Sequence, residues 1–195
     1  MLTVIIPTHN SERALVATLA MLVPGALSGT VREVIVADAG SSDATAQVVD
    51  VAGCAIVVSD APLATRLKSA AAAARGSWLM FLRPGVVLDA AWVEEAARAI
   101  ETAVLRGTTA SHAAVFRRAS DTDATLPRQI IALVAAAWRG PHPEQGLVIS
   151  REAYARLGGH REGVTDPEAE LLRRIGRRRI VTLRSAAVGW RGRDS

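Results

Sequence analysis

The sequence predicts an α/β fold with a mostly parallel central sheet flanked by helices. Three observations carry this. Short apolar runs, the first of them β-branched, recur along the first hundred residues, each separated from the next by a single stretch with helical spacing. The runs are too uniformly apolar to leave one face in water, as expected of parallel strands covered on both sides. They also end in polar clusters, Pro7-Thr8-His9-Asn10, Asp38-Ala39-Gly40-Ser41, Ser59-Asp60 and Arg83-Pro84-Gly85. Sheets of this kind bind ligands beyond the carboxyl ends of their strands.

The elements follow in order. Val4-Ile5-Ile6, ended by Pro7, reads as a buried strand. Asn10 or Ser11 can cap a helix carrying Leu15, Leu19 and Leu22, and Pro24-Gly25 is expected to stop it. Residues 33–37 form a second strand ending at Asp38, and Ser42 or Asp43 starts a helix to about Val51. Residues 54–58 form a third strand, 63–74 an alanine-rich helix closed by Gly76, and 78–82 a fourth strand. Asp89 caps a helix with Trp92, Val93, Ala96, Ala97 and Ile100 facing inward. In the second half, strands are expected at 112–117, 146–149, 180–183 and 186–188, and a hydrophobic helix at 126–138. Ser150 caps a short helix ended by Gly158-Gly159. Thr165 or Asp166 opens another, with Pro167 in its first turn, where a missing N–H costs nothing.

Composition bounds the function. The chain has 195 residues, half of them hydrophobic, which is enough for one domain with a real core and excludes a disordered chain. A single cysteine, Cys54, excludes an internal disulfide framework and fits a reducing compartment. Of the 23 basic residues only Lys68 is lysine, a bias read first as codon usage. The positive balance sits late: residues 151–195 hold 11 basic and 6 acidic side chains, against 12 and 13 in residues 1–150. Such a surface either attracts phosphates or an anionic membrane or is simply solvated. Aromatics at 4% and the lack of a recognised module speak against nucleic acid. The start shows no targeting segment, and the longest apolar run, Ile130–Trp138, is too short for a bilayer span of ~20 residues. The expectation is a cytoplasmic protein, with peripheral contact at the inner membrane face compatible with its basic quarter.

Several chemistries are missing. There is no dinucleotide glycine fingerprint, no phosphate-binding loop of the Gly-x-x-x-x-Gly-Lys-Ser/Thr type and no Gly-x-Ser-x-Gly elbow. The four histidines are scattered without ligand spacing.

The motifs present resemble family 2 glycosyltransferases of the GT-A fold. The segment Val4-Ile5-Ile6-Pro7-Thr8-His9-Asn10-Ser11-Glu12 is similar to the family's opening, and residues 33–45 to its second-strand motif. Residues 73–82 resemble the helix and strand leading to its Asp-x-Asp site. Gln145–Ile149, Gly158-Gly159-His160-Arg161-Glu162 and residues 168–174 resemble the acceptor-side half. The likeness runs in order along nearly the whole chain and is closest to a small bacterial subgroup. It implies one domain, with a nucleotide-binding half at 1–105 and an acceptor-side half at 106–195. It implies a nucleotide-diphospho-sugar donor, an acceptor that is lipid-linked in many relatives, and an inverting displacement.

The resemblance also implies roles. Asp38 would face the nucleotide base, with Pro7, Thr8 and Asn10 lining the pocket and Arg66 reaching the donor; Asp38 to Asp43 equally makes a turn and helix cap. Relatives hold a divalent cation (Mg²⁺ or Mn²⁺) with carboxylates just after the fourth strand, to neutralise the leaving diphosphate. Here that position reads Arg83-Pro84-Gly85, and no metal ligand is evident. The metal comes from elsewhere, or Arg83 pairs directly with phosphate, or catalysis is lost; a surface arginine before a Pro-Gly turn is the plainer reading. The catalytic base would be Glu168, with Asp166 the alternative, although Thr165 to Glu168 also fits a capping box. The competing expectation is a catalytically degenerate relative that binds a nucleotide or a protein partner.

Overall fold

A computed structural model describes residues 1–118 and 141–189 of the chain. The predicted helix at 126–138, including Ile130–Trp138, lies outside the described residues. Eight strands form one sheet: β1 (Leu2–Thr8), β2 (Val31–Asp38), β3 (Ala55–Val58), β4 (Trp78–Phe81), β5 (Val86–Leu88), β6 (Ala113–Arg118), β7 (Leu147–Ser150) and β8 (Ile180–Gly189). Their order is β3-β2-β1-β4-β7-β6-β8-β5. β1 pairs in parallel with β2 and β4, β2 with β3, and β6 with β8. β7 lies antiparallel between β4 and β6, and β5 is antiparallel to β8 at the edge. Six of these strands therefore point the same way, as a mostly parallel α/β sheet requires.

The helices cover both faces. Alternate residues of each strand face opposite sides. Val4, Ile6, Val36, Met80 and Leu82 pack with Leu15 and Leu22 of α1 (Glu12–Leu27), Val49 of α2 (Thr45–Val51) and Trp92 and Ala96 of α4 (Trp92–Leu105). Ile5, Ile35, Leu79, Phe81 and Ile149 pack on the other side with Leu67 and Ala70 of α3 (Leu63–Ala73), Ala153 and Tyr154 of α5 (Arg151–Arg156) and Leu171, Leu172 and Ile175 of α6 (Pro167–Ile175). Burial on both faces explains why these strands read as continuous apolar runs. None of the described helices is long and apolar enough to cross a membrane.

Four details depart from the sequence expectations. α1 does not stop at Pro24-Gly25 but continues to Leu27. Tertiary packing overrides the local breaker: Gly25 lies so close to Trp92 that a Cβ there would fall 2.6 Å from the indole ring, and the indole N–H donates to the Met21 carbonyl at 3.0 Å. The inner face of α4 carries Ala99 rather than Ala97, which is exposed. The strand β5 was not foreseen, because it is only three residues long and directly follows a turn. That turn is built as its sequence dictates: the Val86 N–H returns to the Arg83 carbonyl at 3.1 Å, with Pro84 and then Gly85 at φ +85 in the central positions. This is the residue order a type II turn demands. The two late strands are one, β8, with an irregularity where it passes β6.

Candidate functional site

The carboxyl ends of β1, β2 and β4 lie side by side, since Thr8 pairs with Asp38 and Ile5 with Phe81. The loops that follow carry the predicted residues.

On the nucleotide side, Asp38 is 3% exposed and its carboxylate is fully engaged. Oδ1 accepts the Thr8 hydroxyl at 2.7 Å and the Ser41 hydroxyl at 2.5 Å. Oδ2 accepts the Gly40 and Ser41 N–H groups at 2.9 and 2.7 Å. Burial by itself would raise this carboxyl, but the four donors outweigh it and hold it below the usual aspartate range. A carboxylate offers about four acceptor positions, so Asp38 spends them on shaping its own loop. Asn10 sits at φ +48, a left-handed conformation that asparagine tolerates. Its side-chain oxygen accepts the Ser42 N–H at 2.8 Å, and its own N–H donates to the Ser41 hydroxyl at 2.8 Å. Asp43 binds the N–H groups of Thr45 and Glu12. The loops after β1 and β2 are thus laced together. Pro7 is buried in β1. Arg66, half-buried on α3, donates to the carbonyls of Ala37 at 2.5 Å and Thr8 at 3.3 Å, tying α3 to both strand ends. Burial pulls its pKa down against the attraction of Asp38.

On the acceptor side, Asp166 caps α6: its Oδ1 accepts the Glu168 and Ala169 N–H groups at 3.1 and 2.9 Å. The Thr165–Glu168 capping box is not formed, because the Glu168 side chain turns elsewhere. It shares the buried stripe of α6 with Leu171, Leu172 and Ile175, the i, i+3, i+4, i+7 spacing of an inward face. There it meets Arg83. Arg83 Nε donates to Glu168 Oε2 at 2.7 Å, Nη2 donates to Asp166 Oδ2 at 3.4 Å, and Nη2 also lies in ion-pair contact with Glu168 Oε2 at 2.6 Å. The Glu168 side chain is 7% exposed, Arg83 33% and Asp166 42%. Burial pushes the Glu168 carboxyl up and Arg83 opposes that shift without cancelling it. Burial works against the Arg83 cation, but the Glu168 and Asp166 carboxylates more than restore it.

The structure therefore joins Arg83, Glu168 and Asp166 into one cluster after β4, close to the acceptor-side helix start. Thr8, Asn10, Asp38 and Arg66 form a second network at the ends of β1 and β2. The arginine-rich turn Arg177–Arg179 is not part of either. It follows the C-terminal end of α6, roughly 13 Å of helix away from Asp166.

One supporting network was missed in the sequence. Arg174 clamps the turn before the site, donating to the Leu157 carbonyl, to the Gly159 carbonyl at 2.9 Å and to Glu170 at 2.5 Å. His160, 1% exposed, lies edge-on to Phe81, with its Nδ1 2.8 Å from the Tyr154 hydroxyl. Burial and the nearby Arg174 lower its pKa to about 4, so the ring is neutral. The i, i+4 spacing of Glu170 and Arg174 was the available signal.

The position after β4 does not fit a divalent cation. Arg83, Pro84 and Gly85 offer no side-chain oxygen, the neighbouring carboxylates are paired with Arg83, and no group of three or more ligating residues occurs among the described residues.

Comparison with known proteins agrees with this architecture. The model of glycosyl transferase family 2 matches residues 3–145. No curated protein matches the chain. Among solved structures, mannosyltransferase PcManGT from Pyrobaculum calidifontis, in complex with GDP-Man and Mn²⁺, aligns over 100% of this chain and 58% of its own, with TM-score 0.75 and 19% identity. S. aureus TarS 1-349, in complex with UDP, aligns over 95% and 59%, with TM-score 0.71 and 17% identity. Glucosyl-3-phosphoglycerate synthase from Mycobacterium tuberculosis, with Mn²⁺, UDP and glucosyl-3-phosphoglycerate, aligns over 99% and 72%, with TM-score 0.60 and 17% identity. At these identities the likeness is one of fold, GT-A, and the chain spans less than two thirds of the length of the first two.

Proposed function

The chain belongs to glycosyl transferase family 2, and from that premise we propose that it transfers a sugar from a nucleotide-diphospho-sugar donor to an acceptor hydroxyl. One observation carries the reading beyond the family: a cation, Arg83, and two carboxylates, Asp166 and Glu168, converge at the end of β4. A displacement at a sugar carbon needs both signs of charge at one place. The acceptor oxygen bonds to the anomeric carbon and its proton passes to a carboxylate. The bond from that carbon to the diphosphate oxygen breaks, and the electron pair leaves with the nucleotide diphosphate, which a fixed positive group stabilises. Attack opposite the leaving group inverts the anomeric centre.

Asp166 suits the base better than Glu168. Its side chain is more exposed and its Oδ2 accepts only a long N–H at 3.4 Å, whereas buried Glu168 accepts the Arg83 Nε–H at 2.7 Å with Nη2 a further 2.6 Å ion-pair contact. The loops carrying Asn10 and Asp38 would form the floor for the nucleotide, with Asp38 shaping the loop. No step is routed through a divalent cation, because the residues after β4 do not fit one.

Incubating the full chain with UDP-glucose, UDP-GlcNAc and GDP-mannose and measuring release of UDP or GDP, alongside calorimetric binding, tests the reading. Turnover is expected with one donor and lost in Asp166→Asn with donor binding retained. Donor binding with no turnover in any acceptor mixture would favour the non-catalytic relative, a reading the arginine at the metal position also supports. No binding of any donor or diphosphate would sink the proposal.

A further inference from the structure

Arg83 has three side-chain nitrogens, and the described residues engage two of them. Nε and Nη2 converge on one oxygen of Glu168, and Nη2 also approaches Asp166. Nη1 has no hydrogen-bond partner among the described residues, and a third of the side chain reaches solvent. The turn that presents Arg83 is itself fixed: the Gly85 N–H donates to the Thr18 hydroxyl at 2.9 Å and to the Ala14 carbonyl at 3.0 Å, anchoring it to α1.

Glu168 could relate to an incoming phosphate in two ways. It could compete for Arg83, so that the phosphate must pull the guanidinium away. Or it could hold Arg83 still while the phosphate takes the unused nitrogen. Burial decides between them. Withdrawing Arg83 would strand a carboxylate that is 7% exposed without its cation, which is strongly unfavourable. Contact with Nη1 leaves the pair intact, and a guanidinium can serve two oxyanions at once because its donors form a rigid planar fork.

We infer that Glu168 is a positioning residue: it clamps Arg83 as a permanent cation for the donor diphosphate, at the place where a metal would otherwise do that work. The inference rests on the nucleotide-sugar reading above. It makes diphosphate binding independent of divalent cations and assigns proton removal to Asp166 alone. Glu168 then touches neither donor nor acceptor and acts only through Arg83.

The test is calorimetric titration of the full chain with UDP, GDP, uridine and guanosine in EDTA, so that the diphosphate contribution is read as the ratio of diphosphate to nucleoside affinity. The wild type is expected to favour one diphosphate over its nucleoside at least tenfold. Arg83→Ala removes most of that preference. Glu168→Gln reduces it at least fivefold without weakening the nucleoside, and the double variant falls no further than Arg83→Ala. If Glu168→Gln does not show a cooperative thermal transition, Glu168→Asp, which retains the charge but retracts it, is read on the same ratio and should lose part of the preference. Diphosphate binding in the Glu168 variant as tight as or tighter than wild type overturns the clamp in favour of competition. Binding that requires Mn²⁺ and survives Arg83→Ala overturns the inference and leaves the transferase reading standing. A wild type that binds neither diphosphate, with or without Mn²⁺, overturns both.

Discussion

Replacing Arg83 by alanine should destabilise the protein, and the loss should depend on pH. Arg83 supplies the one hydrogen bond and the one ion pair that the buried Glu168 carboxylate makes among the described residues. Removing one member of a buried ion pair costs about 3–5 kcal/mol. Arg83 is one-third exposed, so water can partly replace it, and we expect the lower end, about 3 kcal/mol at pH 8. For a chain of this size that is a fall in Tm of roughly 6–12 °C. The sign with pH follows from Glu168. Burial raises its pKa in the fold, and Arg83 limits the rise. Without Arg83 the carboxyl rises further, and the folded variant holds the Glu168 proton more tightly than the unfolded chain does. Below the unfolded glutamate range the carboxyl is neutral in both states and the penalty is absent. As pH rises through the folded value the penalty appears in full. The gap between variant and wild type should therefore be large at pH 8 and small near pH 4.5. Urea unfolding at both pH values measures it. Equal stability at pH 8, or a loss that does not change with pH, would refute the buried-pair argument.

Three further outcomes follow from other parts of the structure. His160 is neutral and buried, its pKa lowered to about 4, so the unfolded state gains a proton before the folded state does. Its contribution is intact above the ordinary histidine range and falls by about 2 kcal/mol between pH 7.5 and 5; denaturant titrations should show His160→Phe losing that part of the pH dependence. Gly25→Ala would place a Cβ 2.6 Å from Trp92 and 2.9 Å from Val31, and such overpacking costs about 1–3 kcal/mol, read by thermal unfolding. Asp38→Ala would strand the buried Thr8 hydroxyl and release the Gly40 and Ser41 N–H groups; a loss of about 1–3 kcal/mol should come with faster amide exchange in residues 39–43.

Much of the nucleotide side was legible in the sequence. Asp38-Ala39-Gly40-Ser41 follows a strand and contains residues that accept hydrogen bonds locally or tolerate positive φ, and Gly40 does sit at φ +79. The start of α6 was equally open to reading, since Asp166-Pro167 is a strong helix opening on any scale of capping preference. What the sequence could not say is which carboxylate faces which cation. Arg83 and Glu168 are 85 positions apart, and nothing local distinguishes a paired arginine from a solvated one. A partial signal existed: Glu168 shares a helical stripe with Leu171, Leu172 and Ile175, and a charge on a buried stripe requires a partner. Pro24 failed as a stop signal for the converse reason, since its local cost was outweighed by packing of Gly25 against Trp92, residues that meet only in the fold.

The sequence by itself determined the α/β class, the alternation of strands and helices in the first half and the motifs that mark the family. These rest on periodicity, capping and turn chemistry, which act over a few residues and are written in local order. Tertiary structure alone decided that the arginine at the metal position is half-buried and paired with the buried Glu168 rather than a solvated surface side chain. It also decided that Asp38 spends its lone pairs on its own loop, and that the arginine-rich turn stands a helix length from Asp166. Each depends on how far apart side chains lie in space and how little water reaches them. Both are properties of the folded sheet, which brings the ends of β1, β2 and β4 together with the start of α6.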